Sequence, residues 1–259
     1  MEENSHKIAI LSDIHANLEA FLAVLDKLEE MEITQAVCLG DIVGYNANPK
    51  ECLDIVRAID FLGIVRGNHD EYVGQDKPLF GFNPNAALAV EWTRQQLTDD
   101  DRKWLASLPY EMEIRRVGTG MRPFRIVHGT LDVPQSWGYI FNKFQAISSF
   151  ENQRPNPICF CGHTHIPIYF ILDEKNETTP YAFEEDVPVE IKPNVKYLFN
   201  VGSIGQPRDD DSRAAFAIYD TKQNTVQLHR IEYDIETTQQ KILDANLPRR
   251  LADRLPLGK

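Results

Sequence analysis

The sequence predicts an α/β fold organised around a parallel β-sheet. Up to Val65, short apolar runs alternate with amphipathic segments in the order strand, helix, strand, helix, strand. This alternation is typical of a parallel sheet with right-handed crossover connections. The chain has 259 residues, of which 42% are hydrophobic, and this is sufficient for a full core. We therefore predict a single domain over residues 1–259.

Five elements account for the alternation, and each has a local cause. The continuous apolar run at residues 8–11 is typical of a strand buried on both faces. Asn17 is a favourable N-cap for the helix that follows, and Asn48–Pro49 supplies a second N-cap with proline at the first helical position. The predicted strands cover residues 8–11, 35–39 and 61–65, and the predicted helices cover residues 18–30 and 51–59.

The next segment turns helical. Its apolar spacing predicts helices at residues 85–97 and 99–108, with Thr98 as the N-cap of the second. The stretch as a whole is longer than a minimal core needs. We therefore expect residues 72–110 to form a helical insertion that contributes to a substrate cap, because specificity usually resides in segments added to a rigid scaffold.

The remainder of the chain has mostly the pattern of β-structure. Residues 111–117 and 122–127 are predicted to be neighbouring strands around a turn at residues 118–120. We expect the final residues to be loosely held. The other predicted elements are helices at residues 140–151 and 236–245, a polar hairpin loop at 173–179, and strands at 157–161, 168–172, 187–191, 197–201, 214–219 and 225–231.

The charge balance excludes some classes of partner. With 27 basic and 39 acidic residues, the chain has a formal net charge of −12. An acidic surface repels nucleic-acid backbones, so we expect no polynucleotide partner. No apolar stretch approaches membrane-spanning length, and the N-terminal segment is polar and lacks an apolar signal region. We predict a cytoplasmic protein with no membrane partner, and the oligomeric state stays open.

The cysteines do not indicate a disulfide scaffold. The chain has four, which is too few for its length. Cys159 and Cys161 admit two interpretations, either metal ligands or small residues in a buried strand. We favour the second.

Metal-competent side chains follow the ends of the apolar runs. In an open α/β sheet, the loops at the carboxyl ends of strands converge on one crevice, so these side chains are expected to meet. Two metal ions are the economical interpretation, with Asp41 best placed to bridge them. Oxygen and nitrogen donors without a thiolate favour manganese or iron, with zinc as an alternative. The candidate ligands are Asp13, His15, Asp41, Asn68, His128, His163 and His165.

The distribution of histidines supports this interpretation. The chain has seven histidines, and five of them, at positions 15, 69, 128, 163 and 165, belong to these motifs. For one histidine alone, a hydrogen-bonded core or surface role is the simpler interpretation. Five recurrences at strand ends favour a metal site.

Five short motifs occur in order between residues 12 and 165: SDIH, GDIVG, RGNHD, VHG and GHTH. Together they resemble the signature blocks of the calcineurin-like metallophosphoesterase superfamily. The segment at residues 200–220 also resembles the end of small prokaryotic, phosphodiesterase-like members. The resemblance implies a four-layer α-β-β-α sandwich, with two mixed sheets face to face and helices outside.

The resemblance also implies roles for the candidate residues. His69 would lie near the leaving group and not on a metal. There it could donate a proton to the departing alkoxide, a contribution of roughly 10²–10⁴-fold in rate. The alternative is that His69 only fixes Asn68. By motif position, the implied ligands are Asp13, His15 and His165 for one metal, Asn68, His128 and His163 for the other, and Asp41 as the bridge.

The second motif departs from the pattern of the protein phosphatases in this superfamily. Those enzymes have GDxxDRG, in which the second Asp orients the catalytic histidine and the Arg binds phosphate. Gly44 and Tyr45 occupy these two positions here. The departure weakens a protein-phosphatase assignment and leaves the orientation of His69 open. Asp70 is either its partner or a helix-capping or loop carboxylate.

Arg208 is the candidate for binding substrate phosphate, because a guanidinium matches phosphate geometry. The alternative is an ion pair with one of the three aspartates at residues 209–211.

Aromatic side chains near the motifs could stack on a nucleobase. Core packing is the simpler interpretation for each of them alone. They are Phe82, Trp92, Trp104, Trp137 and Tyr139.

These observations predict a dinuclear-metal phosphoesterase that hydrolyses small phosphodiesters or nucleotides, including dinucleoside polyphosphates, by attack of a metal-bound hydroxide. The first alternative is a phosphomonoesterase or protein phosphatase. The second is a non-catalytic scaffold of the same fold, as in the retromer subunit, although the full ligand set argues against it.

Overall fold

A computed structural model describes residues 6–80, 82–115 and 121–259 of the chain. Within these ranges it contains twelve β-strands and eight α-helices. The turn predicted at residues 118–120 lies outside the described residues.

The elements follow one another with short connections. The strands are β1 (Lys7–Leu11), β2 (Gln35–Cys38), β3 (Gly63–Ile64), β4 (Glu111–Ile114), β5 (Phe124–Val127), β6 (Ile158–Cys161), β7 (Ile168–Leu172), β8 (Thr178–Ala182), β9 (Val189–Glu190), β10 (Lys196–Asn200), β11 (Ala214–Asp220) and β12 (Thr225–Ile231). The helices are α1 (Leu18–Glu30), α2 (Pro49–Ala58), α3 (Asn68–Gly74), α4 (Pro84–Gln96), α5 (Asp99–Ser107), α6 (Lys143–Asn152), α7 (Ile235–Asp244) and α8 (Arg249–Asp253). Single 3₁₀ turns occur at Pro134–Ser136 and Leu255–Leu257.

The strands form two mixed sheets of six strands each. The first has the order β3-β2-β1-β11-β12-β9, and the second has the order β4-β5-β6-β10-β7-β8. Each sheet contains three adjacent parallel strands, β3-β2-β1 in the first and β5-β6-β10 in the second, and antiparallel strands flank them. The predicted architecture of two mixed sheets is confirmed.

Alternation of side chains along the strands divides the core into layers. On β1, Ile8 and Ile10 pack between the two sheets, while Ala9 and Leu11 pack against the helices outside the first sheet. The outer helix of the second sheet is α6, which contributes Phe150 to a third cluster. Continuous apolar strands are therefore buried on both faces, as the run at residues 8–11 predicts.

Most predicted elements are present with their boundaries shifted by a few residues, and α1 matches its prediction at both ends. The Asn17 side chain caps it by accepting a hydrogen bond from the backbone N–H of Ala20 at 3.2 Å. Cys159 and Cys161 are buried residues of β6, as favoured above. Three elements were not predicted, namely α3, α8 and β8, and β8 begins within the predicted polar loop.

The expectation that the final residues are loosely held is wrong. Helix α8 and the turn after it pack against α4 and α7, and Leu251 and Leu255 are both buried there. The backbone N–H of Asp210 also donates to the carbonyl of Gly258 at 3.0 Å. The C-terminal segment is therefore a packed part of the domain.

Helices α4 and α5 occupy most of the predicted insertion at residues 72–110. Its contribution to a substrate cap stays a prediction. None of the helices among the described residues is long and apolar enough to cross a bilayer.

Two leucines of the C-terminal segment provide a matched test of this packing. Leu251 is 2% exposed, whereas Leu257 is 56% exposed. We expect Leu251→Ala to lower the free energy of unfolding by about 2–5 kcal/mol, because it leaves a cavity. Leu257→Ala should change it by less than about 0.5 kcal/mol. Urea unfolding followed by circular dichroism measures both, and equal effects would show that the segment is not packed.

Candidate metal centre

The predicted ligands lie where the parallel strands of both sheets end. Loops after β1, β2, β5 and β6, together with the first turn of α3, converge on one buried site. The backbone is strained there, because Asp13, His15, Asp41, His163 and His165 all have positive φ angles, between 49° and 69°. Non-glycine residues rarely adopt this conformation, and it is characteristic of functional sites held by surrounding structure.

The first cluster contains Asp13, His15 and His165. The two Nε2 atoms of the histidines are 3.0 Å apart. Nε2 of His165 lies 3.1 Å from Oδ1 of Asp13, and Nε2 of His15 lies 3.6 Å from the same oxygen. This carboxylate oxygen is buried and lacks a hydrogen-bond partner among the described residues.

The second cluster contains Asp41, His128 and His163. Nε2 of His128 lies 3.2 Å from Oδ2 of Asp41 and 3.1 Å from Nδ1 of His163. The same Asp41 oxygen is 3.5 Å from Nε2 of His15, which belongs to the first cluster. Asp41 therefore lies between the two clusters, at the position that the sequence predicts for a bridging ligand.

Backbone carbonyls fix which ring nitrogens face inward. Nδ1 of His15 lies 3.1 Å from the Val43 carbonyl, and Nδ1 of His165 lies 2.6 Å from the Gln206 carbonyl. A carbonyl only accepts hydrogen bonds, so each of these nitrogens carries the proton. The lone pairs at Nε2 consequently face each other across 3.0 Å. Such outer hydrogen bonds are the usual means of orienting metal-binding histidines, and a cation between the two lone pairs would remove their repulsion.

The second cluster is oriented in the same way. The Leu39 carbonyl lies 2.9 Å from Nδ1 of His128, and the Trp137 carbonyl lies 3.0 Å from Nε2 of His163. All four histidines that the sequence predicts as ligands thus bind a backbone oxygen with one nitrogen and direct the other into the site. The donor set fits divalent cations.

Burial and mutual charge determine the protonation of these groups. Burial disfavours the ionised carboxylates, but the neighbouring histidines hold the pKa of Asp13 and of Asp41 well below the usual range. Burial lowers the pKa of His165 to about 3, and that of His163 to about 3. Burial opposes protonation of His128 as well, but Asp41 raises its pKa to about 9. Metal binding there must displace a proton.

Asn68, the seventh predicted ligand, is the first residue of α3. Its Oδ1 atom is buried without a hydrogen-bond partner among the described residues. It lines a cavity of about 320 Å³ together with His69 and His163. The structure therefore brings all seven predicted ligands to one place, and their roles as ligands stay a prediction.

The His69 ring is held by packing, while its backbone N–H donates a hydrogen bond to the Asp41 carboxylate at 2.8 Å. Its ring lies 4.4 Å from the Tyr45 ring and 5.6 Å from the Phe82 ring, between centroids. Nδ1 is buried without a hydrogen-bond partner among the described residues. Gly44 has φ +96°, and a Cβ atom at this position would collide with Nδ1 of His69. A side chain in place of Gly44 would therefore displace the His69 ring.

Asp70 is a capping carboxylate, because it lies in the first turn of α3 and its side chain accepts a hydrogen bond from the N-cap backbone N–H. It accepts hydrogen bonds from the backbone N–H groups of Ile42 at 2.9 Å, Val43 at 3.3 Å and Gly67 at 3.0 Å. Burial and the negative charge of Asp41 raise its pKa to about 7. Asp70 thereby ties the loop after β2 to the loop before α3.

Arg208 forms no ion pair with the neighbouring aspartates among the described contacts. Asp209 pairs with Arg230, Asp210 with Lys259 at 3.7 Å, and Asp211 with Arg213 at 2.7 Å. The Arg208 guanidinium instead donates to the Tyr45 hydroxyl at 3.2 Å and to the Gln206 side chain at 2.8 Å. It thus remains available to an anion beside His69.

Aromatic side chains surround the entrance to the site. Tyr139 stacks on His163 at 4.1 Å between ring centroids and is 44% exposed, and Phe80 is 88% exposed at the rim. Trp92 and Trp104 pack in hydrophobic clusters away from it. A larger groove of about 760 Å³ lies between α6 and the β7–β8 hairpin, but none of the predicted ligands lines it. The site is therefore identified by its side chains and not by the size of the cavity.

Sequence reasoning missed the contribution of Tyr45, which contacts both His69 and Arg208. It also missed Ser203 and Gly205, which bind the carbonyl of Asp13 at 2.9 and 2.8 Å. The only signal was the glycine-rich loop that precedes Arg208.

Comparison with known proteins identifies the family. A model of the calcineurin-like phosphoesterase superfamily domain matches residues 7–224. An uncharacterized protein from Methanocaldococcus jannaschii is 36% identical over 252 residues, which cover 97% of this chain and 98% of that protein.

Solved structures agree with this match. The crystal structure of a metallophosphoesterase from Sphaerobacter thermophilus is 37% identical, covers 99% of this chain and 100% of that one, and has a TM-score of 0.84. A hypothetical protein from Pyrococcus horikoshii, 20% identical over 98% of each chain, shares the fold with a TM-score of 0.77. The resemblance carried by the five motifs is confirmed, and the chain belongs to the calcineurin-like phosphoesterase superfamily.

Proposed function

We propose that the protein is a dinuclear-metal phosphoesterase that hydrolyses small phosphodiesters or nucleotides, including dinucleoside polyphosphates. The observation that supports this most strongly is the pair of buried clusters with Asp41 between them. In the first cluster, Nε2 of His165 lies 3.0 Å from Nε2 of His15 and 3.1 Å from a carboxylate oxygen of Asp13, and these atoms face inward. This arrangement is costly without a cation, and the second cluster offers a further set of inward-facing donors.

The residues suggest which metals bind and what they supply. Nitrogen and oxygen donors without a thiolate favour manganese or iron, and zinc also fits. Two divalent cations held by the clusters would neutralise charge on a phosphoryl group and lower the pKa of water between them.

The surrounding side chains act on the substrate. Arg208 would bind the phosphate oxygens, since its guanidinium has no carboxylate partner among the described residues. Burial lowers the pKa of His69, while a bound phosphate ester would add negative charge that favours its protonated form. His69 in that form would donate a proton to the leaving alkoxide.

Two observations argue against a protein phosphatase and against a non-catalytic scaffold. Protein phosphatases of this superfamily need an Asp where Gly44 stands, and the His69 ring leaves no room for a side chain there. A scaffold has no reason to maintain the strained backbone at five of the predicted ligands.

Asp41→Asn tests the proposed activity. The panel is p-nitrophenyl phosphate, bis(p-nitrophenyl) phosphate and diadenosine tetraphosphate, each with manganese. We expect turnover of a diester or of the dinucleotide, and a loss of at least about 10²-fold in the variant, because Asp41 serves both clusters. Turnover of the monoester alone would support a phosphatase. Absence of turnover by folded, metal-loaded protein would support the scaffold.

His69→Ala separates catalysis from metal binding. The variant should keep its metals and lose about 10²–10⁴-fold in rate on a diester with an alkyl leaving group, which needs a proton. The loss should be much smaller on bis(p-nitrophenyl) phosphate, because p-nitrophenolate leaves without one. Equal losses on both substrates would contradict proton donation. Metal content measured by mass spectrometry is the control.

Removal of metal should destabilise the protein. A cation that binds only the folded state, at a free concentration of 100 times its Kd, adds about 2.7 kcal/mol to the free energy of unfolding. We expect a chelator to lower the Tm, and His128→Gln to lose most of this response. His229→Gln is the matched control, because His229 pairs with Asp186 at 3.0 Å outside the site. The same response in both variants would place the metals elsewhere.

A further inference from the structure

A second cavity, of about 500 Å³, adjoins the candidate metal centre. Three arginines line it, Arg208 from the loop after β10 and Arg250 and Arg254 from α8 and its C-cap. We call this cavity the C-terminal basic pocket. It shares Tyr45 and Tyr139 with the cavity that contains Asn68 and His69, so the two cavities meet at these side chains.

In the part of the chain that the structure describes, neither Arg208 nor Arg250 has an acidic partner. Arg208 contacts only neutral groups, and its Nε atom is buried without a hydrogen-bond partner. Arg254 donates to an oxygen of Lys259, the last residue, whose carboxylate offsets the charge of Arg254. Asp253 also lines the pocket, but it lies 3.5 Å from Arg249. The pocket therefore carries an excess of positive charge in a chain whose net charge is −12.

The positive groups are close enough to repel one another. Burial and the charge of Arg208 lower the pKa of Arg254 to about 10, so Arg254 is still charged at neutral pH. Clustering of like charges is unfavourable unless an anion joins them. The fold nevertheless holds them together, because the carbonyl of Gly258 accepts a hydrogen bond from the backbone N–H of Asp210, two residues beyond Arg208.

We propose that the C-terminal basic pocket binds a second phosphate group of the substrate. The substrate class is therefore an ester with at least two phosphate groups, such as a nucleoside polyphosphate. One phosphate lies at the candidate metal centre, and the other lies between Arg250 and Arg254, with Arg208 between the two positions. Guanidinium groups are suited to this role, since they bind phosphate oxygens in pairs. This inference rests on the proposed function and makes it more specific.

Calorimetric titration of the manganese-loaded full-length protein tests the pocket. The ligands are inorganic phosphate, imidodiphosphate and imidotriphosphate, whose nitrogen bridges resist hydrolysis, at a fixed concentration of free Mn²⁺. We expect one of the two longer ligands to bind at least tenfold more tightly than phosphate. Arg250→Gln and Arg254→Gln should each reduce this preference by about tenfold, as expected for loss of a charged hydrogen bond.

Arg249→Gln is the matched control, because Arg249 is adjacent on α8 but does not line the pocket. It should keep the preference of the unaltered protein. Thermal unfolding checks that Arg254→Gln is folded, and if it is not, the exposed Arg250 decides the test alone. The proposal would be overturned if Arg250→Gln prefers the longer ligands to phosphate as strongly as the unaltered protein does. It would also be overturned if the unaltered protein shows no such preference.

Turnover of bis(p-nitrophenyl) phosphate distinguishes this result from failure of the proposed function. That ester has a single phosphate, so its hydrolysis reports on the metal centre without the second phosphate position. If this ester is hydrolysed and the variants still prefer the longer ligands to phosphate as strongly as the unaltered protein does, only the proposed role of the pocket is refuted. Absence of hydrolysis of both this ester and diadenosine tetraphosphate refutes the proposed function, whatever the calorimetry shows.

Discussion

The site depends on holding buried histidine nitrogens and carboxylate oxygens close together. Nε2 of His15 and of His165 are 3.0 Å apart, and an unpaired carboxylate oxygen of Asp13 lies beside them. Each group would be more stable in water. The surrounding structure must therefore supply the free energy that keeps them together, and many of its features can be understood as serving that purpose.

Three such features are visible. Backbone carbonyls bind the outer nitrogen of four histidines and prevent the rings from turning away. Asp41 and Asp70 accept backbone N–H groups and tie neighbouring loops to each other. The positive φ angles at Asp13 and His163 turn the chain sharply at strand ends, so that one short loop can present its side chain inward. The two sheets provide the rigid frame on which these loops are mounted.

The sequence was informative wherever a local pattern has a single structural consequence. Apolar runs followed by Asp13 or His128 place each of these residues at the carboxyl end of a parallel strand. The two strands belong to different sheets, so this local pattern does not by itself show that the residues meet. Helix α1 was predictable because Asn17 and the apolar spacing act within one segment.

Features that depend on distant contacts were not predictable. Tyr45 supports His69 and Arg208 only because residues 163 positions apart come together. The C-terminal segment was expected to be loosely held because it lies at the end of the chain. The burial of Leu251 and Leu255 depends instead on contacts with α4 and α7. Helix α3 was not predicted because the motif residues at its start hide a helical pattern. The position of Arg208 relative to its neighbouring aspartates likewise depended on Arg213, Arg230 and Lys259.

The link between the start and the end of the site has a consequence for folding order. The Ser203 hydroxyl donates to the carbonyl of Asp13, 190 residues away, and the backbone N–H of Ile204 donates to the carbonyl of Ser12. Contacts of such large sequence separation form late, because their loop-closure entropy must be overcome first. The geometry of the first cluster therefore depends on contacts that span most of the chain, beside the pairing of β1 with β11. A partly folded chain in which these contacts have not formed accordingly lacks the ordered first cluster.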